Sequence, residues 1–249
     1  MVNGRPQAPK DRAMPRLTTI AFDADDTLWH NETHFHLTQT RFAALLADAA
    51  EPDHLAERLE ATERRNLQHY GYGVKGFVLS MIETAIEVTG GRVDPAVISE
   101  ILAAGRDMLA HPIELLPHAR EAVETLSRSH RILLITKGDL LHQERKVAAS
   151  GLGDLFHGVE IVSEKTPETY QSIFARHGTA TEAALMVGNS LKSDVLPAIQ
   201  AGAWGVHVPF HLTWALEHAE APLDHPRFCA LPDLSGLTGL VQKLEADLP

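Results

Sequence analysis

The sequence predicts an α/β fold, in which a parallel β-sheet carries helices on both faces and a helical segment interrupts the sheet. Three observations support this fold class. From residue 112 onward, short apolar segments alternate with amphipathic ones, which is typical of strand–helix repeats. One further apolar segment, Leu17–Phe22, precedes a long and purely helical pattern. The length of 249 residues accommodates one α/β domain with an insert.

The first strand and the insert divide the chain into its parts. Leu17–Phe22 (LTTIAF) has the β-branched and aromatic side chains of a buried strand. Between residues 33 and 111, apolar side chains recur at spacings of three and four, and proline or glycine interrupts them. This pattern predicts about four helices. We therefore expect a disordered tail at residues 1–15, an α/β core at 16–32 and 112–249, and a helical insert at 33–111.

The rest of the core alternates between helices and strands. The predicted helices are His118–Ser129, Leu140–Ala149, Pro167–His177, Ser193–Ala201 and Leu237–Ala246. The predicted strands are Ile132–Thr136, Val159–Val162, Ala184–Val187 and Gly205–Val208. Because such alternation produces parallel strands, their carboxyl ends meet at one edge of the sheet. Open α/β sheets bind ligands at that edge, and the helical insert enters the chain there.

Composition excludes several classes of protein. The net charge of −11 argues against a general nucleic-acid surface. No apolar segment approaches the ~20 residues of a membrane helix, so we expect no membrane partner. The single cysteine, Cys229, allows no intrachain disulfide and is expected to be a buried, inert thiol. This cysteine usage fits a reducing, cytoplasmic location.

Polar residues follow four of the predicted strands. The first strand leads into the segment FDADDTLWHNE, in which three aspartates fall within four positions. A cluster of like charges is tolerable where a cation neutralises it or where chemistry requires it. The residues concerned are Asp23, Asp25, Thr136, Lys137, Gly138, Lys165, Asn189, Ser190, Ser193 and Asp194. Their convergence on one edge predicts an active site. Asp26 is expected only to cap a turn.

These segments, in this order, resemble the four motifs of the haloacid dehalogenase-like (HAD) hydrolase superfamily. The resemblance rests on Asp23–Thr27, Thr136, Lys165 and Gly188–Asp194, and it spans residues 17 to about 209. The helical insert between the first two motifs resembles the C1-type helical cap of that superfamily, whose core is a Rossmann-like sheet. The resemblance implies a Mg²⁺-dependent phosphatase that hydrolyses a small phosphorylated metabolite through an aspartyl-phosphate intermediate.

The resemblance also implies a role for each motif residue. Asp23 would be the nucleophile, and Asp25 the general acid and base. Thr136 would bind a phosphate oxygen together with the backbone amides of Lys137 and Gly138. Lys165 would balance the charge of nucleophile and phosphate. Taken alone, a threonine after a strand or a lysine before a helix has a simpler structural role.

The implied metal site contains only oxygen ligands, which Mg²⁺ prefers. It would use Asp23, the backbone carbonyl of Asp25, Asn189 and Asp194. This chain has Asn189 where the family often has aspartate. The pattern therefore leaves open which of Asn189 and Asp194 contacts the metal directly and which acts through water.

Two segments of the insert are further candidates. Tyr70, Tyr72 and Lys75 lie in a glycine-rich break between two predicted helices, and they either select the substrate or form a plain connecting loop. The cluster His30, Glu32, His34 and His36 offers zinc-binding groups, but its spacing fits no zinc signature, so a hinge or substrate-lining role is favoured. Trp214 is expected to pack.

Four other functions share the scaffold or the cleft. A 2-haloacid dehalogenase needs neither the metal nor an acid two residues after the nucleophile, so Asp25 and Asp194 argue against it. A phosphonatase requires an imine-forming lysine in the cap, for which Lys75 is the candidate. A phosphomutase would use the same metal chemistry. A non-catalytic binding protein would have no need of the complete set of motif residues.

Overall fold

The computed structural model describes residues 16–247 and contains one parallel sheet of six strands in that range. The strands are β1 (Thr19–Phe22), β2 (Arg131–Lys137), β3 (Gly158–Val162), β4 (Ala184–Gly188), β5 (Trp204–His207) and β6 (Phe228–Ala230). Their order is β3-β2-β1-β4-β5-β6, and every neighbouring pair is parallel. The predicted α/β fold is confirmed. The expected disordered tail at residues 1–15 lies outside the described residues.

The helices fall into two groups. Between β1 and β2 come α1 (Glu32–Leu45), α2 (Pro52–Tyr70), α3 (Val74–Val88) and α4 (Pro95–Ala110). The core helices are α5 (Ala119–Leu126), α6 (Leu140–Ser150), α7 (Pro167–Arg176), α8 (Leu196–Ala201) and α9 (Leu237–Asp247). No helix within residues 16–247 combines the length and the apolar character needed to cross a membrane.

Alternation along β1 supplies both faces of the sheet. Ile20 and Phe22 join one buried cluster with α5 and α9, whereas Ala21 joins a second cluster with α7 and α8. The central strands are buried on both faces, which explains why they appear in the sequence as continuous apolar segments.

The insert has an apolar cluster of its own. Helices α1 to α4 bury a set of side chains at the predicted helical spacing, which includes Phe42, Leu46, Leu55, Leu59, Phe77, Met81 and Ile101. This set is separate from the two clusters that cover the sheet. The insert therefore packs around an apolar core of its own.

Two features of the core differ from the sequence prediction. Strand β6 was not predicted, because three residues at a sheet edge carry too little periodic signal. It contains Cys229, which was expected to be buried and is half-buried. Burial raises the pKa of this thiol, which disfavours the reactive thiolate. The predicted helix Ser193–Ala201 instead begins as a π-helical turn, Leu191–Val195, and continues as α8. Such turns are frequent at functional sites.

The close approach of α3 and α4 gives a stability prediction. A side chain at Gly105 would overlap the Val78 side chain. We expect Gly105→Ala to lower the free energy of unfolding by about 1 kcal/mol, because overpacking outweighs the gain in helix propensity. Urea denaturation measures the change. Gly239→Ala is the matched control, since its new methyl group would meet no atom. A Gly105→Ala variant as stable as that control would contradict the packing described here.

Candidate active site

A cleft lies at the carboxyl edge of the sheet, where the helical insert faces the core. Its core wall is formed by residues that follow β1, β2 and β4, and its opposite wall by α1, α2 and the start of α3. The cleft is lined by these predicted site residues: Asp23, Asp25, Thr136, Lys137, Gly138, Lys165, Asn189, Ser190, Ser193, Asp194, Tyr70 and Tyr72. The sheet edge thus brings together residues that are far apart in sequence.

Lys165 joins two carboxylates at the base of the cleft. Its Nζ donates to Asp23 Oδ1 at 2.5 Å and to Asp194 Oδ1 at 2.6 Å. All three side chains are almost completely buried. Burial opposes the charge on Lys165, but Asp194 and Asp23 outweigh burial and raise its pKa. Lys165 is therefore a fixed cation shared by two acidic groups.

The carboxyl group of Asp23 has a raised pKa. Burial raises its pKa to about 7, Lys165 acts to lower it, and Asp194 raises it further. One ammonium thus does not fully offset two buried carboxylates. A second cation beside Asp23 would favour the ionised form of its carboxyl group.

The hydroxyl of Thr27 connects Asp23 with Asn189. Thr27 Oγ1 lies 3.2 Å from Asp23 Oδ2 and 3.3 Å from Asn189 Oδ1. The same oxygen accepts the backbone N–H of Asn189 at 3.0 Å. The chain turns directly after β1, where Leu28 N donates to Ala24 O at 2.8 Å. That turn brings Thr27 back beside the aspartate that ends the strand.

The π-helical turn positions Asp194. The amides of Asp194 and Val195 both donate to Ser190 O, and Ser190 N donates to Asp194 Oδ2 at 2.9 Å. Tyr170 supports the turn through a buried hydrogen bond to Ser193 O. A Cβ at Gly188 would overlap the Asp194 carboxylate, so glycine is required at the end of β4.

Asp25 lies in a different environment from Asp23. Its carboxylate accepts hydrogen bonds from Trp29 at 2.7 Å, from Gln143 at 3.1 Å and from Lys146 at 2.8 and 2.9 Å. Burial acts to raise the pKa of Asp25, but Lys146 and these hydrogen bonds outweigh it and lower the pKa. Lys146 also donates to Asn31 Oδ1, directly before α1. The ion pair therefore reaches the point where the insert begins.

The end of β2 forms a compact polar turn. Gln143 Nε2 donates to Thr136 Oγ1 and to Lys137 O, both at 2.8 Å. Gly138 has φ +137, and a Cβ there would crowd the Gln143 side chain. The predicted phosphate-binding roles of Thr136, Lys137, Gly138 and Lys165 remain predictions, although the structure places all four in the cleft.

The side chain of Lys137 contacts Glu217, Ser193 and the ring of Tyr72. Its Nζ donates to Glu217 at 2.7 Å and to Ser193 Oγ at 2.8 Å, and it lies 3.9 Å from the centroid of the Tyr72 ring. Burial acts to raise the pKa of Glu217, but Lys137 and two serine hydroxyls outweigh it and lower the pKa.

The candidate residues of the insert have separate positions. Tyr72 donates to Glu164 and contacts the Trp214 ring, and Tyr70 lines the same cleft. Lys75 does not line the cleft, because its ammonium pairs with Asp139 at 2.9 Å on the surface. This position removes the support that Lys75 gave to the phosphonatase alternative. Asp26 caps the start of α1 by accepting the amides of Asn31 and Glu32, as expected.

Sequence reasoning missed several residues of the cleft, among them Gln143, Lys146, Trp214 and Glu217. A signal existed for the first two, since Gln143 and Lys146 occupy the buried face of the amphipathic helix α6. Trp214 was expected only to pack, and it lines the cleft. Nothing near Glu217 in the sequence identifies it, because only the fold brings it to Lys137.

The donor set of the cleft suits a hard divalent cation. The carboxylates of Asp23 and Asp194 meet at one ammonium, and the Asn189 amide oxygen lies beside the same Thr27 hydroxyl as Asp23. Within residues 16–247, no three His, Cys, Asp or Glu side chains are grouped to hold a metal ion. The histidine cluster near the start of α1 therefore lacks zinc-site geometry. Oxygen ligands that include an amide fit Mg²⁺.

The chain belongs to the haloacid dehalogenase-like hydrolase family. The model of that family matches residues 17–202, which include every motif residue of the cleft. The chain is also 40% identical to a haloacid dehalogenase-like family hydrolase from Xanthomonas campestris. That alignment covers 98% of this chain and 97% of the other, with a TM-score of 0.84. None of the curated proteins matches the chain.

More distant structures share the fold. The HAD-hydrolase YfnB from Bacillus subtilis, bound to magnesium, is 15% identical, with a TM-score of 0.65 over 91% of this chain and 99% of the other. The L-2-haloacid dehalogenase from Xanthobacter autotrophicus, with chloropropionic acid covalently bound, is 18% identical, with a TM-score of 0.60 over 91% and 98%. The fold thus occurs in hydrolases with different substrates.

The buried Asp25–Lys146 pair gives a prediction about stability and pH. Lys146→Met leaves Asp25 without a counter-charge, so we expect the free energy of unfolding to fall by about 3 kcal/mol near neutral pH. Because the pKa of Asp25 is lowered, the ion pair stabilises the fold at pH values above the ordinary pKa range of an aspartate. In the variant that pKa rises, so acidification protonates Asp25 and removes the penalty.

Urea denaturation at about pH 8 and about pH 5 tests this expectation. The difference between wild type and Lys146→Met should be larger at the higher pH. Arg145→Met is the matched control, since it removes the same charge from an exposed position on α6. A difference independent of pH, or equal to that of the control, would contradict the role assigned to the pair.

Proposed function

We propose that this hydrolase is a Mg²⁺-dependent phosphomonoesterase that transfers the phosphoryl group of a small metabolite to Asp23. The observation that carries the proposal is the contact of Asp23 and Asp194 through Lys165. Beside it lies a third aspartate, Asp25, which Lys146 holds separately. A buried carboxylate nucleophile and a doubly anionic ester repel each other, so the reaction requires fixed cations. A reducing, cytoplasmic setting remains our expectation for the enzyme.

Asp23 is the nucleophile in this proposal. One carboxylate oxygen attacks phosphorus and the leaving alcohol departs, which forms an aspartyl-phosphate. Lys165 holds the attacking carboxylate and lies where it offsets negative charge on the transferred group. Thr136 and the amides of Lys137 and Gly138 line the same cleft and would donate to the phosphoryl oxygens.

Asp25 is the proton donor and acceptor. It would protonate the leaving alcohol and then take a proton from the water that hydrolyses the aspartyl-phosphate. Its present partners are Lys146, Trp29 and Gln143. Asp25 must exchange part of this network for the substrate oxygen. The link from Lys146 to Asn31 places that exchange beside the entry to the insert.

Magnesium would be held by Asp23, Asp194, Asn189 and the backbone carbonyl of Asp25. When bound, it would neutralise the carboxylates and the phosphate, and it would polarise the phosphoryl group. The magnesium bound to the Bacillus subtilis relative supports this choice of metal. Asn189 supplies an oxygen without charge. This site therefore carries one negative charge fewer than a site with aspartate at that position.

The dehalogenase alternative accounts for less of the cleft. An ester formed at carbon needs no proton donor for a departing halide, yet this chain buries a hydrogen-bonded acid two residues after Asp23. The dehalogenase neighbours are all below 20% identity, and that likeness concerns the fold. We therefore favour attack of Asp23 on phosphorus with departure of an alcohol over attack on carbon with departure of a halide.

Replacing the nucleophile tests the proposal. We expect wild-type protein to hydrolyse p-nitrophenyl phosphate with Mg²⁺, and Asp23→Asn to reduce kcat by at least about 10³-fold, because the amide cannot form the aspartyl-phosphate. Phosphate release measures activity. Asp154→Asn, at an exposed position, is the matched control and should keep full activity.

Halide release from 2-chloropropionate is measured in parallel. Full phosphatase activity in Asp23→Asn would disprove the assigned mechanism. Halide release that exceeds phosphate release would favour the dehalogenase. Thermal melting of both variants separates loss of chemistry from loss of fold.

Charge addition at Asn189 tests the metal site. We expect Asn189→Asp to bind Mg²⁺ about tenfold more tightly, because ligand charge strengthens cation binding. The rise in Tm on adding Mg²⁺ should therefore be larger than in wild type. Gln171→Glu adds the same charge on the exposed face of α7 and should respond as wild type does. Equal responses in all three proteins would place the metal elsewhere.

A further inference from the structure

The insert side of the cleft contains two acidic side chains that the proposed reaction does not use. Glu32 begins α1 and Glu63 lies in the middle of α2, and both are half-buried in the cleft lining. Burial raises the pKa of Glu63 to about 8, with Glu32 adding to the effect. Burial likewise raises the pKa of Glu32 to about 7, with Asp25 and Glu217 adding to it.

No cation of the described chain neutralises this pair. Among residues 16–247, neither Glu32 nor Glu63 forms an ion pair. The lysines that line the cleft are already paired: Lys165 with Asp23 and Asp194, Lys137 with Glu217, and Lys146 with Asp25. A hydrogen bond from Trp214 is the favourable contact of Glu63. The pair therefore has no counter-charge of its own, and a cation bound beside it would favour the ionised form of both side chains.

Asn66 independently marks the same wall as a binding surface. Its side chain is 5% exposed and lines the cleft. Its Nδ2 donates to Ser80 and Glu83, while its Oδ1 accepts no hydrogen bond from residues 16–247. Because Asn66 lines the cleft, a donor on a bound ligand can reach an acceptor oxygen there.

The placement of these groups follows the helix geometry. Glu63, Asn66, Leu67 and Tyr70 share one face of α2, and Glu32, Phe35 and Gln39 share one face of α1. Helix faces turned toward an interior normally carry apolar side chains. Here the acceptor oxygens line the same cleft as the rings of four aromatic residues, Phe35, Phe77, Tyr72 and Trp214. Carboxylates combined with aromatic rings are the surroundings that suit an organic cation.

We propose that this wall binds the leaving group of the substrate, and that the substrate is a phosphomonoester whose alcohol carries a positively charged amino group. The proposal rests on the proposed phosphatase function, which places the phosphate at Asp23 and the alcohol on the insert side. An ammonium would donate to Glu32, Glu63 and the free oxygen of Asn66, and it would remove the repulsion between the two carboxylates.

Other occupants fit less well. A leaving group with a carboxylate would add a third negative charge to the wall, and a plain alkyl group would leave the acceptors unpaired.

The test uses three series of phosphomonoesters: ω-aminoalkyl, n-alkyl and ω-carboxyalkyl phosphates with chains of matched length. Variation of the length allows for the span between the phosphate site and the acidic wall. At the best length we expect kcat/KM for the amine to exceed that for the alkyl ester by about tenfold or more, since charge-assisted hydrogen bonds replace bare contact. The carboxylate should be the poorest substrate.

Glu63→Gln keeps the shape of the side chain and removes its charge. In this variant the ratio of amine to alkyl kcat/KM should fall about tenfold, and the carboxylate should improve relative to the alkyl ester. Glu57→Gln, at an exposed position of α2, is the matched control and should retain the wild-type ratio. A wild-type ratio in Glu63→Gln would overturn the assignment, and circular dichroism confirms that each variant is folded.

Calorimetric binding of ω-aminoalkyl and n-alkyl phosphonates separates this inference from the proposed function. If p-nitrophenyl phosphate is hydrolysed but amine and alkyl esters react equally at every length, the inference is wrong and the phosphatase stands. If nothing is hydrolysed but the aminoalkyl phosphonate binds more tightly in a Glu63-dependent way, the cleft assignment stands and the phosphatase does not. If nothing is hydrolysed and the aminoalkyl phosphonate binds no more tightly than the alkyl phosphonate, both are wrong.

Discussion

The buried ammonium of Lys165 between two carboxylates is the interaction on which the cleft depends. Asp23 ends β1, Asp194 follows β4 and Lys165 follows β3, so one charge cluster joins three strand ends at the sheet edge. Removing Lys165 would leave two buried carboxylates without a counter-charge, which costs more than an intact pair stabilises. The π-helical turn after β4 and the glycine that ends that strand are needed to bring Asp194 into contact.

A second charge pair gives Asp25 properties opposite to those of Asp23. Burial raises the pKa of Asp23, whereas at Asp25 Lys146 and the hydrogen bonds together outweigh burial and lower the pKa. Two carboxylates two residues apart thus acquire different acid–base properties from their surroundings. Because Lys146 also contacts Asn31, the state of Asp25 is connected to the start of the insert.

The insert and the core have separate apolar clusters but share one cleft. In the proposed reaction the core supplies the charged groups that act on phosphate, and the insert supplies the wall that faces the rest of the substrate. On this proposal the acidic side chains of α1 and α2 take no part in the chemistry and contribute to substrate selection. It also places Tyr72 and Trp214, which contact each other, at the junction of the two parts.

The sequence by itself determined the parallel α/β fold, the helical insert and the ordered polar residues, because hydrophobic periodicity and strand-end placement are local properties. It identified Asp23, Asp25, Thr136, Lys165, Asn189 and Asp194 as members of one cleft. Only the tertiary structure revealed the partners Lys146, Gln143 and Glu217, excluded Lys75 from the cleft, and showed β6. Ion pairs join residues more than a hundred positions apart, and such pairs depend on packing that no local pattern encodes.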